Sequence, residues 1–130
     1  MRRLAMFTLI LLVGCAAAAP LATPDSVLEQ FRSAGLNVAN VTTSEVLVAE
    51  IANALPSCAG ARFDVEGDDG ARVVICGKES EAEKLATYYT SLGESSPLFF
   101  SHVERRGGLV FQMSGSLPAE TFQKYVAALS

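Results

Sequence analysis

Two short turns, each between a pair of apolar segments, constrain the fold of this chain more than any other feature of its sequence. The first is Gly67-Asp68-Asp69-Gly70, which separates Arg62–Glu66 from Ala71–Cys76. Asp and Gly tolerate the positive φ angles of tight hairpin turns, so the sequence predicts two antiparallel strands here. Val73-Val74-Ile75 is apolar without alternation, which indicates a strand at the centre of the sheet.

The second turn is Arg105-Arg106-Gly107-Gly108, which predicts another hairpin with strands at Pro97–Glu104 and Leu109–Ser114. Helical spacing of apolar residues follows each hairpin. The helix after the first hairpin is predicted to begin at a capping box, Ser80–Glu83, and the helix after the second hairpin at Pro118. The order is therefore strand, strand, helix, repeated once.

A further helix is predicted ahead of the first hairpin. Thr23-Pro24-Asp25 is a typical helix start and Gly35 a typical stop, with apolar residues at helical spacing between them. Residues 36–43 have the composition of an extended connection rich in β-branched residues. Ser44–Leu55 fits either a second helix or a strand, and the sequence leaves both assignments open.

The whole pattern predicts a two-layer α+β domain over residues 23–130. Its four-stranded antiparallel sheet is built from the two hairpins, with about three helices packed on one face. In such a domain the other face of the sheet is open, and strand alternation places either Phe99 or Phe100 on that face. An aromatic side chain there is either a binding surface or covered by a loop or the N-terminal segment, and the sequence favours neither.

The N-terminal residues have the organisation of a secretory signal. Arg2 and Arg3 form a positive start, and Leu4–Val13 is an apolar run interrupted only by Thr8. A helix that crosses a bilayer needs about 20 apolar residues, so this run is too short for a permanent transmembrane anchor. The sequence therefore predicts an exported protein whose N-terminal segment is removed.

Leu12-Val13-Gly14-Cys15 closes this run and resembles the bacterial lipobox. In a lipobox the cysteine receives a diacylglyceryl group and becomes the first mature residue, held in the membrane by fatty acyl chains such as palmitate. The resemblance implies a lipoprotein signal peptide at residues 1–14, a lipid anchor on Cys15 and a short tether at residues 15–22. The open alternative is cleavage within the tether, which would release a plain secreted protein.

Such an anchor implies an extracytoplasmic position on a bacterial cell membrane. Ala16 is not an acidic retention signal, so an outer membrane is compatible if the cell has two membranes. Removing residues 1–14 leaves eight basic residues against 14 acidic ones, a net charge of −6. Without a Lys/Arg cluster, this charge argues against nucleic acid as a partner and against electrostatic attachment to anionic lipid.

Cys58 and Cys76 are the two cysteines that remain if Cys15 is lipidated. Disulfides persist outside the reducing cytosol, so the export signal favours a disulfide between them over two buried thiols. A metal site is disfavoured because no nearby His or third Cys completes a ligand set. No motif for a cofactor is present.

His102 is the single histidine, and strand alternation places it on one face with Phe100 and Glu104. A His–Glu pair suits proton transfer or half of a metal site, but no further ligand is indicated, and a solvated strand histidine is the simpler interpretation. The acidic first turn does not follow a calcium loop, and residues 113–116 lack the spacing of a nucleophile elbow. The sequence therefore predicts no catalytic residue and a binding surface at Phe99, Phe100 and His102.

Several of these segments together resemble small uncharacterised bacterial lipoproteins. Besides the lipobox and the final helix, the resemblance lies in Val27–Leu36, Tyr88–Gly93, Ser96–Ser101 and Leu109–Gln112. It covers most of the mature chain and implies cellular location and fold rather than an activity. The disulfide is not part of it.

Two functional hypotheses follow. The first is a non-enzymatic, membrane-anchored lipoprotein that binds an unknown protein or small-ligand partner through the open sheet face. The second is a small envelope hydrolase that uses His102. A second titratable group with a nameable role is missing around His102, so the sequence favours the binding module.

Overall fold

The computed structural model describes residues 22–44 and 46–130, which form one antiparallel sheet with helices on both sides. The predicted signal peptide at residues 1–14, Cys15 and the predicted tether as far as residue 21 lie outside these residues. The helices are α1 (Pro24–Ser33), α2 (Ala49–Ala54), α3 (Glu79–Ser95) and α4 (Ala119–Ala128), and the strands are β1 (Ala39–Thr42), β2 (Cys58–Glu66), β3 (Asp69–Cys76), β4 (Ser101–Arg106) and β5 (Leu109–Ser114). The strand order is β1-β2-β3-β5-β4.

The predicted α+β class and both hairpins are confirmed, but the described chain has five strands and four helices rather than four and about three. The additional strand is β1, which lies in the predicted extended connection and pairs antiparallel with β2 through Ala39 and Thr42. All four of its residues are exposed. Its side chains therefore carry no alternating pattern, which is why the sequence did not separate it from a loop.

The prediction that all helices pack on one face of the sheet is wrong. Val73 and Val74 are neighbours on β3, so their side chains point to opposite faces, and both are fully buried. Val110 and Phe111 on β5 repeat this arrangement. Because apolar side chains on both faces must be removed from water, helices cover both, and the domain has three layers rather than two.

The larger core lies between the sheet and helices α1 and α4. Phe31 of α1 is at its centre, with ring centroids 5.8 Å from Phe63, 5.3 Å from Phe111 and 5.0 Å from Tyr125. The Tyr125 hydroxyl donates a hydrogen bond to the carbonyl of Asn37 (2.6 Å), so its polar end is satisfied within an apolar cluster. These contacts fix α1 and α4 against the same face.

The smaller core lies on the opposite face, between the sheet and α3. Leu85 and Tyr89 of α3 pack there with Val74, Cys76 and Val110. Leu47 and Ile51, from the segment around α2, pack against the margin of this cluster. A single long helix and one short helix thus cover a five-stranded face, and part of that face is left uncovered.

The ends of α1 follow the sequence prediction, whereas those of α3 do not. Thr23 and Ser26 form a capping box at the start of α1, and Gly35 has a positive φ of 77° just after its end. Helix α3 begins at Glu79, so Ser80 lies inside the first turn and the predicted capping box there is wrong. Gly93, a residue type that predicts a helix end, lies inside α3, and the helix continues to Ser95.

Two other segments are shorter than predicted. The open assignment of residues 44–55 resolves as the six-residue helix α2, which ends before Pro56. Strand β4 begins only at Ser101, because Pro97–Phe99 forms a 3-10 turn that Pro97 starts. This turn is important for the site, since it carries the exposed aromatic residues.

The predicted disulfide is present between Cys58 and Cys76. The two residues face each other across the β2–β3 pair, at the end of the sheet where β2 begins and β3 ends. The bond closes the whole first hairpin and lies in the smaller core, under α3. It therefore constrains the element around which both cores are built.

Replacing both residues, Cys58→Ala with Cys76→Ala, should lower the free energy of unfolding by about 3 kcal/mol, because the unfolded chain regains the entropy of the open loop. Chemical denaturation followed by far-ultraviolet circular dichroism measures this. A reductant should lower the free energy of unfolding of the wild-type protein by a similar amount and leave that of the double variant unchanged. Equal denaturation midpoints for the oxidised wild-type protein and the double variant would contradict the stabilising role of the disulfide.

Candidate functional site

A groove of about 400 Å³ lies on the α3 face of the sheet, where the helices leave strands uncovered. It runs between α2, the C-terminal half of α3 and the 3-10 turn, and it reaches the end of the sheet where β3 begins and β5 ends. A concave site of this volume is within the range of small-molecule binding sites. We call it the groove.

Polar side chains from three adjacent strands form the floor of the groove. Arg62, Arg72 and Gln112 are cross-strand neighbours in one row, on β2, β3 and β5 respectively. They occupy positions that face α3 and border the groove. Arg62 and Arg72 are partly exposed, whereas Gln112 is largely buried. This row is the part of the smaller-core face that is polar.

Two hydrogen bonds hold the Arg72 side chain in place. Its Nε donates to the carbonyl of Val46 (3.0 Å), and its Nη1 donates to Oε1 of Gln112 (3.0 Å). Among residues 22–44 and 46–130, no carboxylate lies within ion-pair distance of Arg72. Arg72 thus places a positive charge on the groove floor with a fixed orientation.

Arg62, the other arginine of the floor, is neutralised locally. Its Nη1 donates to Oδ1 of Asp64 (2.8 Å), and its Nη2 donates to the carbonyl of Asp68 (3.2 Å). Hydrogen bonds to Asp64 from Asn40 and then from Arg62 lower the pKa of the Asp64 carboxyl, which keeps it ionised. The pair therefore contributes little net charge to the groove.

Aromatic and aliphatic residues form the walls. Tyr88 and Tyr89 are consecutive on α3, with ring centroids 5.6 Å apart, and Leu92 follows one turn later. Burial raises the pKa of the Tyr89 phenol, with the positive charge of Arg72 acting in the opposite direction. The Tyr89 hydroxyl therefore remains protonated at neutral pH and can donate a hydrogen bond.

Three consecutive apolar side chains form the rim of the groove. Leu98 is 90% exposed, Phe99 61% and Phe100 50%. Ser96 accepts a hydrogen bond from the Leu98 backbone N–H and stabilises the 3-10 turn that projects them. A contiguous exposed apolar patch beside a groove is typical of an interaction site.

Phe100 is held in position by a close backbone contact. A Cβ added to Gly115 would overlap the Phe100 carbonyl oxygen and ring, and a Cβ on Gly93 would press on Phe100 from α3. Gly115 is therefore required for the rim to lie as closely as it does against β5, and Gly93 lets Phe100 lie slightly closer to α3 than a residue with a Cβ would. The rim has a defined position rather than that of an unsupported loop.

His102 is on the other face of the sheet, apart from the groove floor. Its ring stacks on Phe122 of α4 (centroids 5.2 Å apart, 20° between planes) and meets Phe100 edge-on (5.2 Å). Its Nε2 lies 2.8 Å from the Leu117 carbonyl, and because a carbonyl can only accept, Nε2 carries the proton. The hydrogen bond from His102 on β4 to Leu117 thus holds the loop between β5 and α4 against β4.

The residues predicted as a single surface are therefore divided between two places. Phe99 and Phe100 border the groove, whereas the imidazole of His102 is engaged in packing and a backbone hydrogen bond. Glu104 is on the same face as His102, but its Oε1 contacts Nε of Arg106 (3.4 Å). The His–Glu pair considered from the sequence is not formed.

Two other candidates from the sequence are structural contacts. Ser114 and Ser116 share a hydrogen bond (2.7 Å), and Ser116 donates to Oδ1 of Asp69 (2.7 Å) at the end of the groove. His102 faces away from this cluster, so it does not serve the serines as a base. Among the described residues, no group of three or more His, Cys, Asp or Glu side chains is placed to hold a metal ion.

Sequence reasoning missed Arg62, Arg72, Gln112 and the two tyrosines as site residues. The available signal was Arg72 directly before Val73-Val74, and Gln112 within the apolar run of β5. A polar residue at a core-facing position of a central strand indicates that the helices do not fully cover that face, or that the face holds a site. This signal becomes interpretable only when it is known that α3 lies on that face.

No protein-family model, curated protein or solved structure matches this chain. No helix among the described residues is long and apolar enough to cross a membrane.

The variant Gly115→Ala should displace Phe100 and lower the free energy of unfolding by about 1–3 kcal/mol, because the added methyl group overlaps backbone that cannot move freely. Denaturation midpoints measure this, and a near-ultraviolet circular dichroism spectrum reports the aromatic packing. Gly77→Ala is the matched control, since its nearest neighbour would be a Ser57 Cβ at an ordinary 3.5 Å. Equal stability of the two variants would show that the rim is not fixed by this contact.

Proposed function

We propose that this protein is a lipid-anchored, extracytoplasmic binding module that takes a small apolar ligand into the groove beside α3. The observation that carries the binding proposal is the rim of Leu98, Phe99 and Phe100, exposed beside a concave site with aromatic walls. Three large apolar side chains exposed in a row lower the solubility of a protein. A ligand that removes them from water explains why the chain has them at this position. The proposal for the anchor is supported by the lipobox sequence at Leu12–Cys15.

The position of the groove supports this combination. Helix α1 begins near the start of β2, where Pro24 and residues 58–60 border one surface cavity, whereas the rim is at the opposite end of the strands. A tether over residues 15–22 reaches at most about 25 Å. If the chain is anchored at Cys15, the start of α1 lies near the membrane. The rim of the groove then lies at the end of the domain away from the membrane, where a ligand can enter.

The packing of His102 gives no support to the alternative of a hydrolase. Its Nε2 proton is donated to Leu117, and its ring is between Phe100 and Phe122. A general base has to reach the proton that it removes, with a nucleophile or a water held beside it. The groove is the site that the geometry favours, and a binding module remains the proposed function.

The lipid anchor is tested by intact mass spectrometry of the protein taken from the membranes of cells that make it. The mature chain should begin at Cys15 and carry the additional mass of a diacylglyceryl group. Cys15→Ser should abolish that mass and release the protein from the membrane fraction. An unmodified wild-type chain that begins further along the sequence would contradict the anchor.

The groove is tested with N-phenyl-1-naphthylamine, a neutral aromatic probe whose fluorescence rises in an apolar site. We expect saturable binding to the wild-type protein and at least about tenfold weaker binding to Phe99→Ala, because the ring contributes apolar and stacking contact. Val41→Ala, an exposed apolar residue on β1 outside the groove, should bind as the wild type does. Equal binding by Phe99→Ala and wild type would contradict the groove as the site.

A further inference from the structure

We propose that the ligand of the groove carries a carboxylate, which Arg72 and Gln112 bind, on an apolar or aromatic body. This inference rests on the proposed function and adds the chemical class of the ligand. It depends on the donors of the floor, the balance of charge along the groove and the character of the walls, each of which is a separate observation.

The groove floor offers hydrogen-bond donors in excess of acceptors. A guanidinium has five N–H groups, of which Arg72 uses one at Nε and one at Nη1 within the protein. The remaining three have no hydrogen-bond partner among the described residues. The same two bonds fix the plane of the guanidinium, so little entropy is lost when a planar two-oxygen group pairs with it.

Gln112 supplies a second donor beside the first. Arginine can only donate, so the atom of Gln112 that faces Nη1 is the amide oxygen, and the NH₂ group is the one left over. That NH₂ group makes no hydrogen bond to another described residue, although Gln112 is only 7% exposed. No side-chain nitrogen or oxygen of the described residues is both buried and without a hydrogen-bond partner, so this NH₂ group is accessible from the groove, where a ligand oxygen can accept from it.

The distribution of charge places the anion at Arg72. Arg62 is paired with Asp64, and Asp68 and Asp69 border the far end of the groove, where Asp69 accepts from Ser116. Asp69 is three residues from Arg72 along β3, a separation of about 10 Å in a strand. Anionic groups are therefore disfavoured at that end and favoured over Arg72.

The walls determine the rest of the ligand. Tyr88, Tyr89 and Leu92 of α3 line the groove together with the rim residue Phe99. Tyr89 is close enough to Arg72 for that charge to act on the pKa of its phenol, so its hydroxyl adds another donor near the floor. Aromatic walls favour a flat apolar body, and the volume of about 400 Å³ limits that body to a small molecule. Donors below and apolar walls above together suit a small aromatic or aliphatic carboxylic acid.

The test compares two probes with the same naphthyl body, 2-naphthylacetate and the neutral 2-naphthylacetamide, in which an NH₂ group replaces one carboxylate oxygen. Binding is measured by isothermal titration calorimetry of the purified protein at neutral pH. Charge-assisted hydrogen bonds stabilise more than neutral ones do, so the acid should bind roughly tenfold or more tightly than the amide. Arg72→Gln should remove most of this preference. Arg105→Gln is the matched control, because Arg105 lies on β4 beside Glu79 and outside the groove.

Each result decides a different claim. Equal affinity of the wild-type protein for the acid and the amide would overturn the carboxylate assignment while leaving the groove as a binding site. Binding of neither probe, with no binding of N-phenyl-1-naphthylamine, would overturn the proposed function as well. Because the wild-type comparison needs no substitution, the test holds even if Arg72→Gln weakens the fold through its lost bond to Val46.

Discussion

The requirement to cover β3 on both faces organises the whole structure. Val73 and Val74 are consecutive and fully buried, so apolar side chains leave this strand in two opposite directions. One helix layer can satisfy only one of these faces, and burial of each valine is worth about 1.5–3 kcal/mol. The helices before and after the hairpins therefore divide, with α1 and α4 on one side and α3 on the other.

The two faces are not covered equally, and the groove is a consequence of that difference. Two helices with the aromatic cluster around Phe31 fill one side. On the other side α3 covers the end of the sheet near the disulfide, and the row of Arg62, Arg72 and Gln112 lies beyond it. Polar residues at these positions make the uncovered area compatible with water, and the rim of Leu98, Phe99 and Phe100 makes it suited to an apolar ligand.

The sequence was sufficient to predict most of the local elements of the fold, although not all of their ends. Both hairpins were evident from their turns, α1 from Thr23 and Gly35, and the disulfide from the predicted export signal. The strand β1 could not be predicted, because an edge strand with all side chains exposed has no burial pattern. The prediction that all helices lie on one face was wrong. The apolar run Val73-Val74-Ile75 indicates a strand that is buried on both faces, but it does not indicate which helix covers each face.

The candidate site was predicted only in part, for a physical reason. Phe99 and Phe100 were identified because two adjacent aromatic residues on one predicted strand must face opposite sides of the sheet, although both in fact precede β4, with Phe99 in the 3-10 turn. Arg72 and Gln112 become neighbours only through the pairing of β3 with β5. His102 was grouped with them by strand alternation, which does not show that α4 covers its face. Local sequence patterns thus predict helices and strands, whereas the site depends on which strands pair, and the local patterns do not show that pairing.

The most direct test of this account is a nuclear magnetic resonance titration of the isotopically labelled protein with 2-naphthylacetate. Side-chain signals of Arg72 Nε–H and the Gln112 amide should shift in a saturable manner, together with the rings of Tyr88 and Phe99. Signals of Arg105 and of His102 should change little. Shifts centred on His102, or no saturable shift at Arg72, would contradict the claim that the uncovered part of the sheet is the ligand site.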